Sequence, residues 1–268
     1  MKGPRKRWAV FGNPGFPSYM AAQFLTGFAV QIQTVAVGWQ VYDLTRDPFD
    51  LGLVGLSQFA PALLLVLVTG AVADRFPRRV TMGACLGVKA LAGGGLLWLA
   101  ATGNTRTLPI FALLGLFGAA RAFYNPARQA MVPNLVVPEH LTRALATIGS
   151  VNKVATISGP LAGGLLYGLG APAAYGVSLA FFLAAAALIA GLPAVPQRLA
   201  AGRRGWSEIL AGVRFIRCKR IILGAISLDL FVVLLGGAVA LLPVYARDVL
   251  AIGAVGLGLL RAAPAAGA

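Results

Sequence analysis

The ten residues GAVADRFPRR, Gly70 to Arg79, interrupt two apolar runs, 51–69 and 80–101, each long enough to cross a bilayer. Asp74, Arg75, Pro77, Arg78 and Arg79 crowd charge and a helix breaker into this interval, so it reads as a tight, water-facing connection between two membrane helices. The chain on either side repeats that alternation. Of its 268 residues, 58% are hydrophobic and only 12% charged, and the mean hydropathy is +0.80. One soluble core cannot hide that much apolar surface, and lipid must cover the remainder.

Windows of about 20 apolar residues fall at 19–42, 51–73, 80–101, 108–124, 141–169, 174–192 and 221–244, and an eighth begins at Gly253. Breakers and charges separate them, including the long interval NPARQAMVPNLVVPEH after the fourth. Long runs rich in Ala, Leu and Gly lack the period of two that a membrane β-barrel requires, so the fold is read as all-α.

The formal net charge of +15 raises the question of nucleic acid, and the placement of the charge answers it. The basic residues form no aromatic-interleaved stripe, so nucleic acid is not an expected partner. Lys2, Arg5, Lys6, Arg7, Arg75, Arg78, Arg79, Arg128, Arg143 and the group from Arg198 to Arg220 all fall on one side of the spans. Arg46, Arg106 and Arg247 fall on the other. By the positive-inside rule the N-terminus and the 193–220 connection are cytoplasmic. The first span follows a basic stretch as a cleavable signal would. It is too long, carries Gln23, Gln31, Gln33 and Gln40, and lacks a small-residue cleavage site, so it reads as a retained helix. Cys85 and Cys218 are too few and too differently placed for a disulfide frame.

The glycine, Asp-Arg and paired arginines of the opening stretch, Gly70, Asp74, Arg75, Arg78 and Arg79, resemble the signature between the second and third helices of the major facilitator superfamily. SGPLAGG in the fifth span, with Gly159, Pro160, Gly163 and Gly164, is similar to the core of that family's antiporter motif. RAFYNPARQAMVP, VYDLT and LGLVGLSQFAPALLL resemble the branch of bacterial exporters that includes enterobactin exporters and other transmembrane secretion effectors. The resemblance covers essentially the whole chain. It implies a six-helix N-terminal bundle over 1–195, a basic cytoplasmic linker over 196–220 and, over 221–268, the seventh span and start of the eighth in a partial second bundle. It further implies export of a small molecule by alternating access, driven by a proton gradient, with no cofactor.

Departures accompany the matches. Pro77 stands where the loop motif has glycine, and Ala146 and Ala155 replace two upstream glycines of the antiporter pattern. The fourth-helix arginine used for proton transfer in many members corresponds to Leu114. Arg121 lies one to two turns further toward the cytoplasm and reads as a partner for the loop. The family has twelve spans, so a missing C-terminal half is an expected partner of this chain.

Individual residues carry two readings each. Asp74 ends the second helix, where its charge opposes the helix's negative pole, so a cation should face it. Arg75, Arg78, Arg79, Arg121 and Arg128 are available for a gate latch, and the plainer alternative has the basic trio anchoring the loop to lipid headgroups. Gly159, Pro160, Gly163 and Gly164 suit a close, bendable helix seam. Gln23, Gly27, Gln31, Thr34 and Gly38 share one face of the first helix, a candidate cavity wall or an interhelical hydrogen-bonding surface. Asp229, near the middle of the seventh span, is a candidate proton carrier or half of a structural ion pair. Lys153 is placed to meet an anionic substrate, whereas Lys89, on a helix peripheral in the family, reads as structural or snorkelling. Trp206, Ile209, Leu210, Val213 and Ile216 recur at helical spacing among basic residues, as in an interfacial helix, against the alternative of a flexible connector.

No metal-spaced cluster, nucleotide loop or nucleophile elbow occurs, so the sequence gives no enzyme signature. Export of an amphiphile, siderophore-like or drug-like, is one reading of function. A non-transporting relic, or a fragment that acts only by assembling with another membrane chain, is the other.

Overall fold

The computed structural model describes residues 12, 13, 15–193, 224, 227, 228 and 236–267, without the side chains of 66–68, 70–75 and 236–238. Six long helices run up and down in sequence: α1 Phe16–Thr45, α2 Pro48–Arg75, α3 Arg78–Ala101, α4 Leu108–Leu135, α5 Leu141–Gly168 and α6 Ala171–Ala190. A 3-10 segment Gly236–Leu241, one α turn and a π turn Tyr245–Val249 then lead to α7, Gly253–Ala266. The described residues contain no strand. Asp229, half of the expected seventh span and the proposed interfacial helix lie outside the described residues.

Short sequence signals set the helix ends. Proline opens or nearly opens α1, α4 and α6, where a missing N–H costs nothing. Asp47 caps α2 by accepting a hydrogen bond from the Phe49 N–H at 2.8 Å. Gly170 turns the chain between α5 and α6 at φ 126°, a conformation that side chains rarely adopt.

Two expectations change. The fourth helix does not stop at Tyr124 but continues to Leu135, through Pro126 and Pro133, so Arg128 lies on a helix and not in a long loop. A membrane helix tolerates such prolines because neighbouring groups satisfy the freed carbonyls. The opening stretch is likewise mostly helical: α2 runs through Arg75 and α3 begins at Arg78, leaving Phe76 and Pro77 as the connection.

α1 is central, packed against α5 and α6, while α2 lies on α4, α3 bridges α4 and α6, and α7 lies on α5. One apolar core, around Phe16, Tyr19, Met82, Phe117 and Phe182, occupies the half nearest the α2–α3 connection. A second, around Ile32, Leu96, Ile110 and Tyr175, fills the opposite half. Leu64, Leu91, Trp98 and Leu169 point outward, as lipid-facing residues do. Among the described residues, five helices have the length and apolar composition to cross a membrane. α5 is long enough but more polar, with Thr147, Ser150, Asn152 and Lys153 in its first half.

Part of the polarity on α1 serves packing. Gln40 accepts a 2.6 Å hydrogen bond from the buried Tyr175 hydroxyl of α6. Tyr175→Phe leaves that acceptor buried without its donor and should cost about 1–3 kcal/mol, read as a lowered melting temperature in detergent. Adding Gln40→Leu should recover much of the loss.

Candidate functional site

α1, α3 and α5 start, and α2, α4 and α6 finish, at the end of the molecule that carries the α2–α3 connection. There Arg78 donates to the Ala130 carbonyl of α4, and Arg79 to the carbonyl of Ala190, the last residue of α6. A cation at a helix C-terminus satisfies a free carbonyl and complements the helix dipole. The loop motif therefore ties three helices together at this end. Gly70, Asp74 and Arg75 belong to the last turns of α2.

Just inside that end lies a polar cavity of about 320 Å³. α1 contributes Gln23, Thr26, Gly27, Val30 and Gln31, α3 contributes Lys89, α4 contributes Arg121, Tyr124, Asn125 and Arg128, and α5 contributes Asn152 and Thr156. Six residues singled out from the sequence, Gln23, Gly27, Gln31, Lys89, Arg121 and Arg128, meet here. Thr34 and Lys153 are not among the lining: the Thr34 hydroxyl bonds its own helix at the Val30 carbonyl, and Lys153 is exposed. Gly38, last of the α1 stripe, faces Arg261 of α7 instead, where an added Cβ would come within 3.5 Å of the guanidinium.

Lys89 departs from one of its two expectations. It does not snorkel: the side chain is 2% exposed, with Nζ 4.0 Å from the Tyr124 ring centroid and 5.5 Å from that of Phe117. Ring faces offset about 2 kcal/mol for a desolvated cation, against several kcal/mol for removing an ammonium from water. The cavity thus holds a basic side chain whose charged form the rings compensate only in part. The Gln23 Nε2, the Thr26 and Tyr124 hydroxyls and the Arg128 Nε are buried nearby without hydrogen-bond partners. The sequence signal for Lys89 was a lysine in mid-span; its aromatic cage, contributed by α4, left none.

The glycine stripe of α5 serves two seams. Gly159 and Gly163 let α1 approach, with an added Cβ falling 2.6 Å from the Gln31 Cβ and 3.0 Å from the Ile32 Cα. Gly164 faces α7, where the Ala254 carbonyl oxygen would lie 2.4 Å from such a Cβ. Pro160 is buried between them, and its carbonyl oxygen would lie 2.5 Å from a Cβ added at Gly258 of α7.

At the opposite end the polar groups pair. Asp43 and Arg46, at the end of α1, meet Arg247 and Asp248 ahead of α7: Arg247 bonds Asp43, the Tyr42 hydroxyl bonds Asp248, and Arg46 lies 3.9 Å from Asp248. Arg247 also stacks 5.4 Å from the Trp39 ring centroid. This closure joins residues about 200 positions apart.

Residues 19–268 match the family model of the Major Facilitator Superfamily. The chain belongs to this superfamily. It is a multi-pass membrane protein of a transporter family rather than an enzyme family. Curated relatives include the enterobactin exporter EntS of Shigella dysenteriae serotype 1 and that of Escherichia coli O9:H4, each 27% identical over 258 residues. These alignments cover 96% of this chain and 62% of each relative, so the chain spans about three-fifths of their length. Among solved structures, that of the POT family transporter PepTSo resembles it with a TM-score of 0.58 at 16% identity, over 100% of this chain and 55% of the other, a likeness of fold. The cavity sits among α1, α3, α4 and α5 of the first six helices.

Proposed function

We infer that this superfamily chain serves export of a small amphiphilic molecule across the inner membrane by alternating access. The observation that carries the reading is the asymmetry of the two ends: a polar cavity within the half bearing the α2–α3 connection, and an ion-paired closure opposite. The charge distribution supports a cytoplasmic N-terminus, so the cavity faces the compartment from which an exporter loads. The exporter names of the relatives support the same direction. The opening motif acts as a latch at the cytoplasmic end, with Asp74 pairing in the conformation that closes it. Asp229 is the proposed proton carrier.

Inside-out vesicles containing the chain test this. With an imposed proton gradient, at least one of three probes, 1-naphthoate, 1-naphthamide or 1-naphthylmethylammonium, should accumulate above the level in empty vesicles. No accumulation of any probe overturns the reading. Asp229→Asn should abolish gradient-driven accumulation while leaving downhill equilibration; identical behaviour of the variant removes Asp229 from the mechanism. Asp43→Arg, which sets like charges together at the far closure, should slow transport about fivefold, a modest effect because the pair is half exposed. Combining it with Arg247→Asp should restore the rate.

A further inference from the structure

Lys89 is the only charged side chain among the described residues that is fully buried. Arg121 and Arg128 on α4 line the same cavity, so three basic side chains converge there. The chain has 8 acidic residues. Of those whose side chains are described, Asp43, Asp47, Asp50, Glu139 and Asp248, none lines the cavity. The unpartnered groups are equally one-sided. Gln23 Nε2 and Arg128 Nε can only donate, and the Thr26 and Tyr124 hydroxyls each have a proton to give. A site of converging basic side chains and surplus donors lacks one component, an acceptor that carries negative charge and so favours the charged form of the lysine.

We propose that this cavity binds the oxyanion of a small organic acid, a carboxylate on an aromatic or apolar body, and that Lys89 sets the preference for the charged form over a neutral isostere. The ammonium meets the oxyanion as a point charge, and the Arg121 and Arg128 guanidinium groups offer planar donor pairs. Gln23 and the hydroxyls bond the remaining lone pairs. The Tyr124 ring, already against Lys89, presents an apolar surface to the body of the acid. The neutral isostere would leave the ammonium as poorly compensated as in the empty site. This assignment rests on the cavity being the export path, and it adds the charge of the cargo.

Calorimetric titration of the purified full chain in detergent with 1-naphthoate and with 1-naphthamide tests it. Wild type should bind the acid about tenfold or more tightly than the amide, the ratio that one good charge-assisted contact confers. Lys89→Gln should bring the ratio close to one, and Lys89→Arg should retain it. If Lys89→Gln does not elute as a monodisperse species, Arg121→Gln takes its place and should lower the ratio severalfold. A wild-type protein with no preference, or a preference that survives both substitutions, overturns the proposal. Gradient-driven transport of both probes at equal rates would also overturn it while leaving the export reading intact. A Lys89-dependent binding preference without transport of any probe would overturn the export reading and sustain the site.

Discussion

Gly118→Leu is expected to abolish recovery of folded protein. α2 and α4 touch at this glycine so closely that an added Cβ would stand 2.2 Å from the Gln58 carbonyl oxygen and 2.9 Å from the Gln58 Cα. Both are backbone atoms of a helix and cannot rotate aside, so the helices must separate along their length. Overpacking of this kind costs about 3 kcal/mol or more, and even Gly118→Ala should lower the melting temperature. Gly115, one turn earlier on the same face, is the control. Its added Cβ would make ordinary contact, 3.7 Å from the Ser57 carbonyl oxygen, so Gly115→Ala should leave the protein monodisperse with little change in melting temperature. Size-exclusion profiles and thermal scans of the three variants separate a specific close approach from a general need for flexibility in α4.

Gly164→Leu should have an equally large effect, of a different kind. Its Cβ would fall 2.4 Å from the Ala254 carbonyl oxygen and 3.1 Å from the Val255 Cα, and a Cβ added at Gly258 would likewise fall 2.5 Å from the Pro160 carbonyl oxygen. The clash therefore lies in the α5–α7 seam and not among the first six helices. α7 must move away, at a cost to the seam of about 3 kcal/mol, while the core around Phe16, Phe117 and Phe182 stays packed. Expected results are a monodisperse protein with near-native helix content by circular dichroism and no vesicle transport above background. Gly168→Ala, with only the Val255 Cγ2 in range at 3.8 Å, should transport normally. Aggregation of Gly164→Leu to the extent seen with Gly118→Leu would contradict the separation of the two seams.

The helices were largely legible because lipid enforces long apolar runs. α1, α2, α3, α5 and α6 each fall within a few residues of the limits read from hydropathy and punctuation. α4 outruns its apolar window because Pro126 and Pro133, helix breakers in water, are tolerated inside a packed membrane helix. In GAVADRFPRR charge does not mark a loop: Asp74, Arg75, Arg78 and Arg79 ride on helix ends and two residues suffice for the turn. The site was legible in pieces. The spacing of Gln23, Gly27 and Gln31 showed a face, and that of Gly159, Gly163 and Gly164 showed small-residue seams. Spacing along one helix does not say which helix lies opposite. The pairing of α5 with both α1 and α7, the Tyr124 and Phe117 rings beneath Lys89, and the closure of Asp43 with Arg247 all arise between distant segments. Lys153 drew attention as a cavity candidate on an inward-facing helix, yet the neighbouring Asn152 lines the cavity.

That neighbour provides the decisive measurement. In a chain with Cys85→Ala and Cys218→Ser, Asn152→Cys is exposed to a membrane-impermeant maleimide in inside-out vesicles, with and without 1-naphthoate. Rapid labelling from the cytoplasmic face, slowed severalfold by 1-naphthoate and much weaker in right-side-out vesicles, is the result expected of a substrate cavity open at the α2–α3 end. Labelling that is absent in inside-out vesicles, or that proceeds at the same rate with 1-naphthoate present, would contradict it.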